Sequence, residues 1–388
     1  MAEIIDRQLE IRFPNGDRET ITSNNIVAES MTITRSICDG NLKLGGCIAS
    51  CFEIQLIGIN PDTVQDKRIQ VIAIETPLAG EILIPSDELS PSDGLTPGSS
   101  GRVLFTGTID SAKRQQNRQI VNITAYDDLY TLGRKNVYTW FYQVCMYSPN
   151  ITLSKLVEGL LTSQLPDLQY TNAWGRSMNN TNYLAELNLN RKNFEDNFST
   201  LTASEILRSA NELMGLFGYI TAEGVYTTSQ ISGYSGYTPI SIYESLIFEE
   251  YTTAQISECT FDYGSGKQAS CSTTSRQNCY YSDDNVIMLS LASTTSNDEL
   301  FAEFLVKRVA ELGELFRANT YSYRPFTLKI DDSLLTNGDN LLGKKLRIAT
   351  GETDLPYIFS FVCSDKMTGI LALKHELSAQ GDYLLQGE

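Results

Sequence analysis

Leu104-Phe-Thr-Gly-Thr-Ile-Asp-Ser-Ala-Lys113, followed by Arg118-Gln-Ile-Val-Asn-Ile-Thr-Ala-Tyr126, is the stretch whose reading decides the fold. Its second half alternates Ile120, Asn122 and Thr124 with Val121, Ile123 and Ala125. A period of two places one set on each side of a half-buried strand. Residues 103–113 and 118–126 therefore predict the two arms of a long hairpin, with the turn at 114–117. Tyr126-Asp-Asp-Leu-Tyr130 then closes a first β domain near residue 133.

The same pattern recurs towards the N-terminus. Residues 8–12, 30–37 and 68–75 alternate, as does Cys51-Phe-Glu-Ile-Gln-Leu-Ile-Gly58. Pro14-Asn-Gly-Asp17 is a turn signal. Pro77, Pro85, Pro91 and Pro97 interrupt residues 76–101, and proline removes ladder donors. That stretch reads as a surface excursion or a pair of edge strands.

Towards the C-terminus the periodicity changes. Residues 137–147 hold Tyr138, Trp140, Phe141, Tyr142 and Tyr147. Residues 152–165 fit a helix with Leu153, Leu156, Val157, Leu160 and Leu161 on one face. Residues 170–200 read as loops and short strands. Thr202 and Glu205 form a capping box for a helix over 202–217, with Ile206, Leu207, Ala210, Leu213, Met214 and Phe217 as its stripe and Gly218 as its stop. A hairpin over 219–227 turns at Glu223-Gly224. Ser296 and Glu299 cap a further helix over 298–316, carrying Phe301, Leu305, Val309, Leu312 and Phe316. Residues 320–330, 345–349, 357–363 and 369–374 read as strands. The fold class is α+β, mainly β, in three parts: 1–133, 134–235 and 236–388. Thr108-Ile-Asp-Ser-Ala-Lys113 with Ile123-Thr-Ala125 faintly resembles Phe361-Val-Cys-Ser-Asp-Lys366 with Ile370-Leu-Ala372, a weak sign of duplication.

Composition narrows the function. The 388 residues carry 30 basic and 47 acidic side chains, a net charge of −17. A nucleic-acid binder needs a basic face to replace phosphate counterions, so no specific nucleic-acid binding is expected. The N-terminus lacks a basic and apolar leader, and no window approaches a membrane span, so a soluble chain without membrane insertion is expected. Cys38, Cys47, Cys51, Cys145, Cys259, Cys271, Cys279 and Cys363 are scattered and read as buried thiols. A Cys271–Cys279 or Cys47–Cys51 bridge stays open.

Each catalytic pattern fails at a named residue. His375 is the one histidine, no Gly-x-Ser-x-Gly elbow accompanies it, and it reads as a partly exposed strand-end imidazole. Cys47 and Cys51 lack a second zinc-ligating pair. Gly338, Gly343 and Lys344 have phosphate-loop spacing, but Lys345 stands where Ser or Thr should hold magnesium, and a strand follows instead of a helix. Gly264-Ser-Gly-Lys267 fails likewise. Asp127-Asp128, Asp283-Asp284 and Asp331-Asp332 read as solvated turn acids. No catalytic, cofactor-binding or metal-ligating residue is assigned, no cofactor is implied, and an enzyme is not expected.

Leu42-Lys-Leu-Gly-Gly-Cys-Ile-Ala-Ser-Cys-Phe-Glu-Ile54, the hairpin quoted first, Leu207 to Phe217, Asn337-Gly-Asp339, Met367-Thr-Gly-Ile370 and Ala379-Gln-Gly-Asp382 occur in an order that resembles the hub proteins of bacteriophage tails and baseplates, including those of phage-tail-like bacteriocins and contractile systems. The likeness spans nearly the whole chain. The resemblance implies two tube-protein-like β-barrels, 1–133 and 236–388, around a mixed α/β middle, the second with an inserted helix. It further implies a homotrimer that adapts a hexameric tail tube, or a distal tail protein, to a threefold spike or tail-tip protein. A central channel would pass DNA or the tape-measure protein, beside other baseplate proteins. The particle would assemble in the host cytoplasm. Excess acidic charge lining the channel is a further expectation. Two departures stand out: the 76–101 excursion is long, and no wall-degrading module is expected after residue 388. The alternatives are a receptor- or carbohydrate-binding tail module, suggested by the tyrosines, and a cell-wall hydrolase.

Overall fold

The computed structural model describes residues 5–14, 20–38, 45–77, 100–116, 119–171, 186–230, 237–249, 258–264, 266–272, 279–292, 294, 324–335 and 341–379. The 298–316 helix, the Pro14-Asn-Gly-Asp17 turn beyond Pro14, most of the 76–101 excursion and Asn337-Gly-Asp339 lie outside them.

The opening hairpin forms as its alternation demands. Ser100–Arg114 pairs antiparallel with Ile120–Tyr126. The register shifts between Ile109 and Ser111, a bulge that bends the strand. Gln65 satisfies the backbone there, donating to the Asp110 carbonyl at 2.6 Å and accepting from the Ala112 N–H at 2.9 Å.

This hairpin sits inside an eleven-stranded sheet. Its order is Ser245–Phe248, Phe326–Asp331, Lys374–Ala379, Ser364–Thr368, Thr32–Ser36, Cys51–Ile57, Ile120–Tyr126, Ser100–Arg114, Arg68–Pro77, Ile5–Arg12 and Ile21–Thr22. The first and last parts of the chain meet at one seam, where Thr32–Ser36 pairs antiparallel with Ser364–Thr368. The sheet is mainly antiparallel and the molecule mainly β.

Two hydrophobic cores result. One gathers Leu9, Ile33, Phe52, Val71, Phe105 and Ile123, with the Phe52 and Phe105 rings stacked at 5.4 Å. Met367, Ile370 and Leu373, from the far end of the sequence, complete it. The second surrounds the helices Leu153–Gln164 and Ala203–Met214. Leu153, Leu156, Val157, Leu160 and Leu161 are buried on the face that the helical period assigns them.

Three expectations need correction. The capped helix runs Ala203–Met214 and ends at Gly215, in the left-handed conformation at φ +65°, rather than at Gly218. Phe217 accordingly belongs to the strand Leu216–Ile220 and not to the helical stripe. A buried Phe satisfies either period, so its spacing could not separate the two. Residues 369–373 form a turn, opened by Gly369 at φ +92°, and the strand starts at Lys374. Ile370 and Ala372 therefore do not correspond to Ile123 and Ala125 on a strand, and Ser364–Thr368 pairs with Lys374–Ala379 instead. Residues 170–200, read as loops and short strands, include the helix Arg191–Asn197, capped by Asn190; the aromatic run 137–147, given no element from its sequence, is a helix, Tyr138–Tyr147, with Phe141 and Cys145 facing inward. The hairpin Leu216–Ile220 with Val225–Gln230 turns at Gly224, φ +86°, as expected.

The capping box is complete. Thr202 Oγ1 accepts the Glu205 N–H, and Glu205 Oε2 accepts the Thr202 N–H at 2.6 Å. Thr202→Ala is expected to cost about 1 kcal/mol, read as a lower midpoint in urea with an unchanged slope.

Candidate functional site: the seam and its polar face

Strands at the seam expose one face and bury the other. On the buried face, Asp365 stands on Ser364–Thr368 and His375 on Lys374–Ala379. His375 Nδ1 lies 2.8 Å from Asp365 Oδ1, and Nε2 lies 3.0 Å from Asp332 Oδ1. Arg102 donates to Asp332 at 2.8 Å and Arg7 at 3.3 Å. Arg35 lies 3.9 Å from Asp365 and donates to the Leu104 carbonyl. Five strand spacings separate the Arg102 strand from the His375 strand, roughly 24 Å in a flat sheet. The contacts at Asp332 therefore require a strongly curled sheet.

This corrects two sequence expectations. His375 is buried, not a partly exposed strand-end group. Asp127, Asp128 and Asp332 are also buried, whereas Asp283 is exposed. Each buried acid has a partner that sequence spacing could not reveal. Asp127 caps the helix Asp128–Arg134 through the Leu129 N–H at 3.0 Å and accepts the Ser50 N–H at 2.8 Å. Arg68 grips Asp128 with two bonds of 2.9 Å.

The electrostatics follow from these contacts. Burial alone would lower His375, but its hydrogen bonds to Asp332 and Asp365 outweigh this and lift it to about 9. Burial would raise Asp332, yet the His375 bond and the Arg102 charge hold it below the usual carboxylate range. Burial lifts Asp127 to about 7 against its bonds from Ser50 and Leu129. The stability from Asp332 is present above 3.8 and lost as pH falls through its lowered folded value. That from His375 is complete below 6.5 and lost as pH rises through about 9. The Asp127 cost sets in between 3.8 and about 7 and then stays constant. The melting temperature is therefore expected to keep falling between pH 7 and 9. A flat profile across that window would contradict the His375 contacts.

Among the described residues no group of three or more His, Cys, Asp or Glu could hold a metal ion. Cys47 and Cys51 are free thiols, as is Cys271. Burial pushes Cys47 up to about 12, which suppresses its thiolate. Gly343 and Lys344 run straight into the strand Lys345–Ala349, so no helix N-terminus follows them. Gly264 and Lys267 flank the turn of a hairpin between Glu258–Tyr263 and Lys267–Ser272. Several tyrosines among the described residues are engaged in ring contacts. Tyr126 and Tyr130 stack on each other at 4.1 Å, with Arg134 over Tyr130, while Tyr138 and Phe141 pack on Phe194.

The opposite face of the sheet is polar. One register row reads Ser245, Lys329, Glu376, Lys366, Thr34, Cys51, Tyr126 across seven strands. A second reads Asp331, Lys374, Thr368, Thr32, Glu53, Thr124. None of these residues is buried. Glu53, Asp331 and Glu376 balance Lys329, Lys366 and Lys374, so acidic excess is not concentrated here. Among the described residues no helix is long and apolar enough to cross a membrane.

The fold has solved counterparts. The chain is similar to a tail protein from Neisseria meningitidis MC58, with a TM-score of 0.54 and 11% identity over 97% of each chain. It also aligns with the 43 kDa tail protein of prophage MuSo2 from Shewanella oneidensis, at a TM-score of 0.49 and 10% identity over 96% of this chain and 98% of that one. No family model matches the sequence, and no curated protein matches it. At such identity the Neisseria likeness establishes the fold alone: the chain shares the overall fold of that tail protein.

Proposed function

We propose that this chain is a structural hub at the tip of a phage tail or tail-like particle. Three copies form a ring that joins a hexameric tail tube to a threefold spike or tip and leaves a central passage. The observation that carries this reading is the seam. Thr32–Ser36 and Ser364–Thr368 join the first and last parts of the chain edge to edge, so one molecule contributes two consecutive segments to one curved sheet. Two such segments per chain, three chains per ring, provide six quasi-equivalent contacts for a sixfold tube.

The polar rows supply a surface suited to a passage. Ser and Thr side chains with balanced charge offer neither a basic track for phosphates nor an apolar patch for a sliding protein. Weak adhesion thus comes from neutral polar groups in this reading and not from acidic excess. The tape-measure protein, the tail tube or distal tail protein, the spike and other baseplate proteins are the partners it implies, within the virion tail.

Mass decides the assembly. Light scattering or native mass spectrometry is expected to give three times the 43.2 kDa chain. A chain that remains monomeric at high concentration and within the particle would overturn the hub reading.

A further inference from the structure

The 364–379 hairpin belongs, by sequence, to the last part of the chain, yet it completes the core of the first. Met367 on its first strand and Ile370 and Leu373 in its turn join Ile33, Phe52 and Phe105 in that core. Its first strand makes the seam with Thr32–Ser36. Directly beside the inserted residues lies the ionic cluster, whose members come from both sides. Arg7, Arg35 and Arg102 approach from Ile5–Arg12, Thr32–Ser36 and Ser100–Arg114. Asp332, Asp365 and His375 approach from the last third.

The hydrogen bonds fix the protonation state by geometry. An ionised carboxylate only accepts, and a neutral imidazole has one donor nitrogen. His375 meets a carboxylate oxygen at each nitrogen, at 2.8 and 3.0 Å. With both carboxylates ionised, both contacts are satisfied together only when both nitrogens carry hydrogen. Removing that proton turns one contact into a lone pair facing a carboxylate, inside a buried site where such a loss is costly.

We propose that the 364–379 hairpin is a charge-operated latch: the doubly protonated His375 holds Asp332 and Asp365 together, these two carboxylates hold Arg7, Arg102 and Arg35 from across the seam, and loss of one proton from His375 lets the carboxylates part, which frees the hairpin from Thr32–Ser36 and opens the seam. The latch is a property of the single chain and goes beyond the hub reading. It leaves the Cys51–Ile57 and Ile120–Tyr126 pairing closed, because those strands hold each other by seven register pairs and contribute no side chain to the cluster. Released, the strand Thr32–Ser36 presents an unpaired edge, which another strand could join.

The test uses the intact protein and its single histidine. Nitrogen NMR of ¹⁵N-histidine-labelled protein at pH 7 is expected to show both ring nitrogens protonated. A neutral imidazole at that pH would overturn the proposal. Hydrogen exchange, corrected for intrinsic rates, is then followed from pH 7 to 10.5 in Thr32–Ser36 and Ser364–Thr368, with Ile120–Tyr126 as the internal reference. The seam strands are expected to lose about a hundredfold of their protection as His375 deprotonates, while the reference stays protected. Parallel loss in all three strands, or none at the seam, would overturn it.

Asp365→Asn supplies the control. Its amide can donate to a neutral imidazole while Asp332 accepts from the other nitrogen, so the seam should stay closed through the same pH range. A variant that keeps the wild-type step would refute the latch. If the variant does not fold, the wild-type nitrogen titration and exchange step must still coincide in pH. Separate midpoints would count against the mechanism. Failure of the latch would leave the measured mass, and so the hub reading, untouched.

Discussion

Asp332→Ala is expected to destabilise the protein by about 3–5 kcal/mol, the range for breaking a buried ion pair by removing one partner. Asp332 accepts from His375 at 3.0 Å, from Arg102 at 2.8 Å and from Arg7 at 3.3 Å. Alanine would leave buried positive groups facing one another, and His375 would lose one of its two acceptors. The cost is therefore mainly that of uncompensated charge, not of lost packing. Two measurements separate these causes. Urea unfolding gives the total, and the Asp332→Asn variant keeps the shape while removing the charge. Asparagine is expected to retain less than half of the stability that alanine loses. An alanine variant within 1 kcal/mol of the parent would show that the cluster contributes little.

Gly46→Ala is expected to cost about 3 kcal/mol or more, as overpacking against backbone does. An added Cβ would stand 1.5 Å from the Ile37 carbonyl oxygen and 3.2 Å from the Phe217 ring. The first of these neighbours is main chain and cannot rotate away. Gly46 also accepts the Gly218 N–H at 2.9 Å, and Gly45 donates to the Leu216 carbonyl at 3.1 Å. The Gly-Gly pair thus lets an extended segment lie against Leu216–Ile220, with Cys47 bridging to Gly218 in parallel. Gly133→Ala is the matched control, because its nearest neighbour would be 3.6 Å away. Equal effects from the two substitutions would remove the close-approach argument. This contact ties the loop before Cys51–Ile57 to the helical middle region. It gives a physical role to the Gly45-Gly46-Cys47 part of the stretch that resembles phage-tail hubs.

Local readings succeeded where one period had one explanation. Alternation at 120–126 and 51–57 found strands because a half-buried strand is the simplest structure with period two. Leu153 to Leu161 found a helix for the equivalent reason. The helix end at Gly215 was missed because the next residues, Leu216 and Phe217, are buried in a strand that continues the apolar run. The turn at 369–373 was missed because Ile370 and Leu373 are apolar for another purpose, filling the core of a distant segment.

The sequence by itself determined the β-rich class, the hairpin at 103–126, two of the middle helices and the failure of each catalytic motif, all consequences of near-neighbour spacing. Only the tertiary structure decided the seam between Thr32–Ser36 and Ser364–Thr368, the burial of His375 and the company it keeps. Arg7, Arg102 and His375 lie far apart along the chain, and no periodicity links them. What brings them together is the curl of a sheet whose bends come from bulges and whose closing pieces come from opposite ends of the chain. Charges that read as solvated along the sequence become buried partners once that curl is complete.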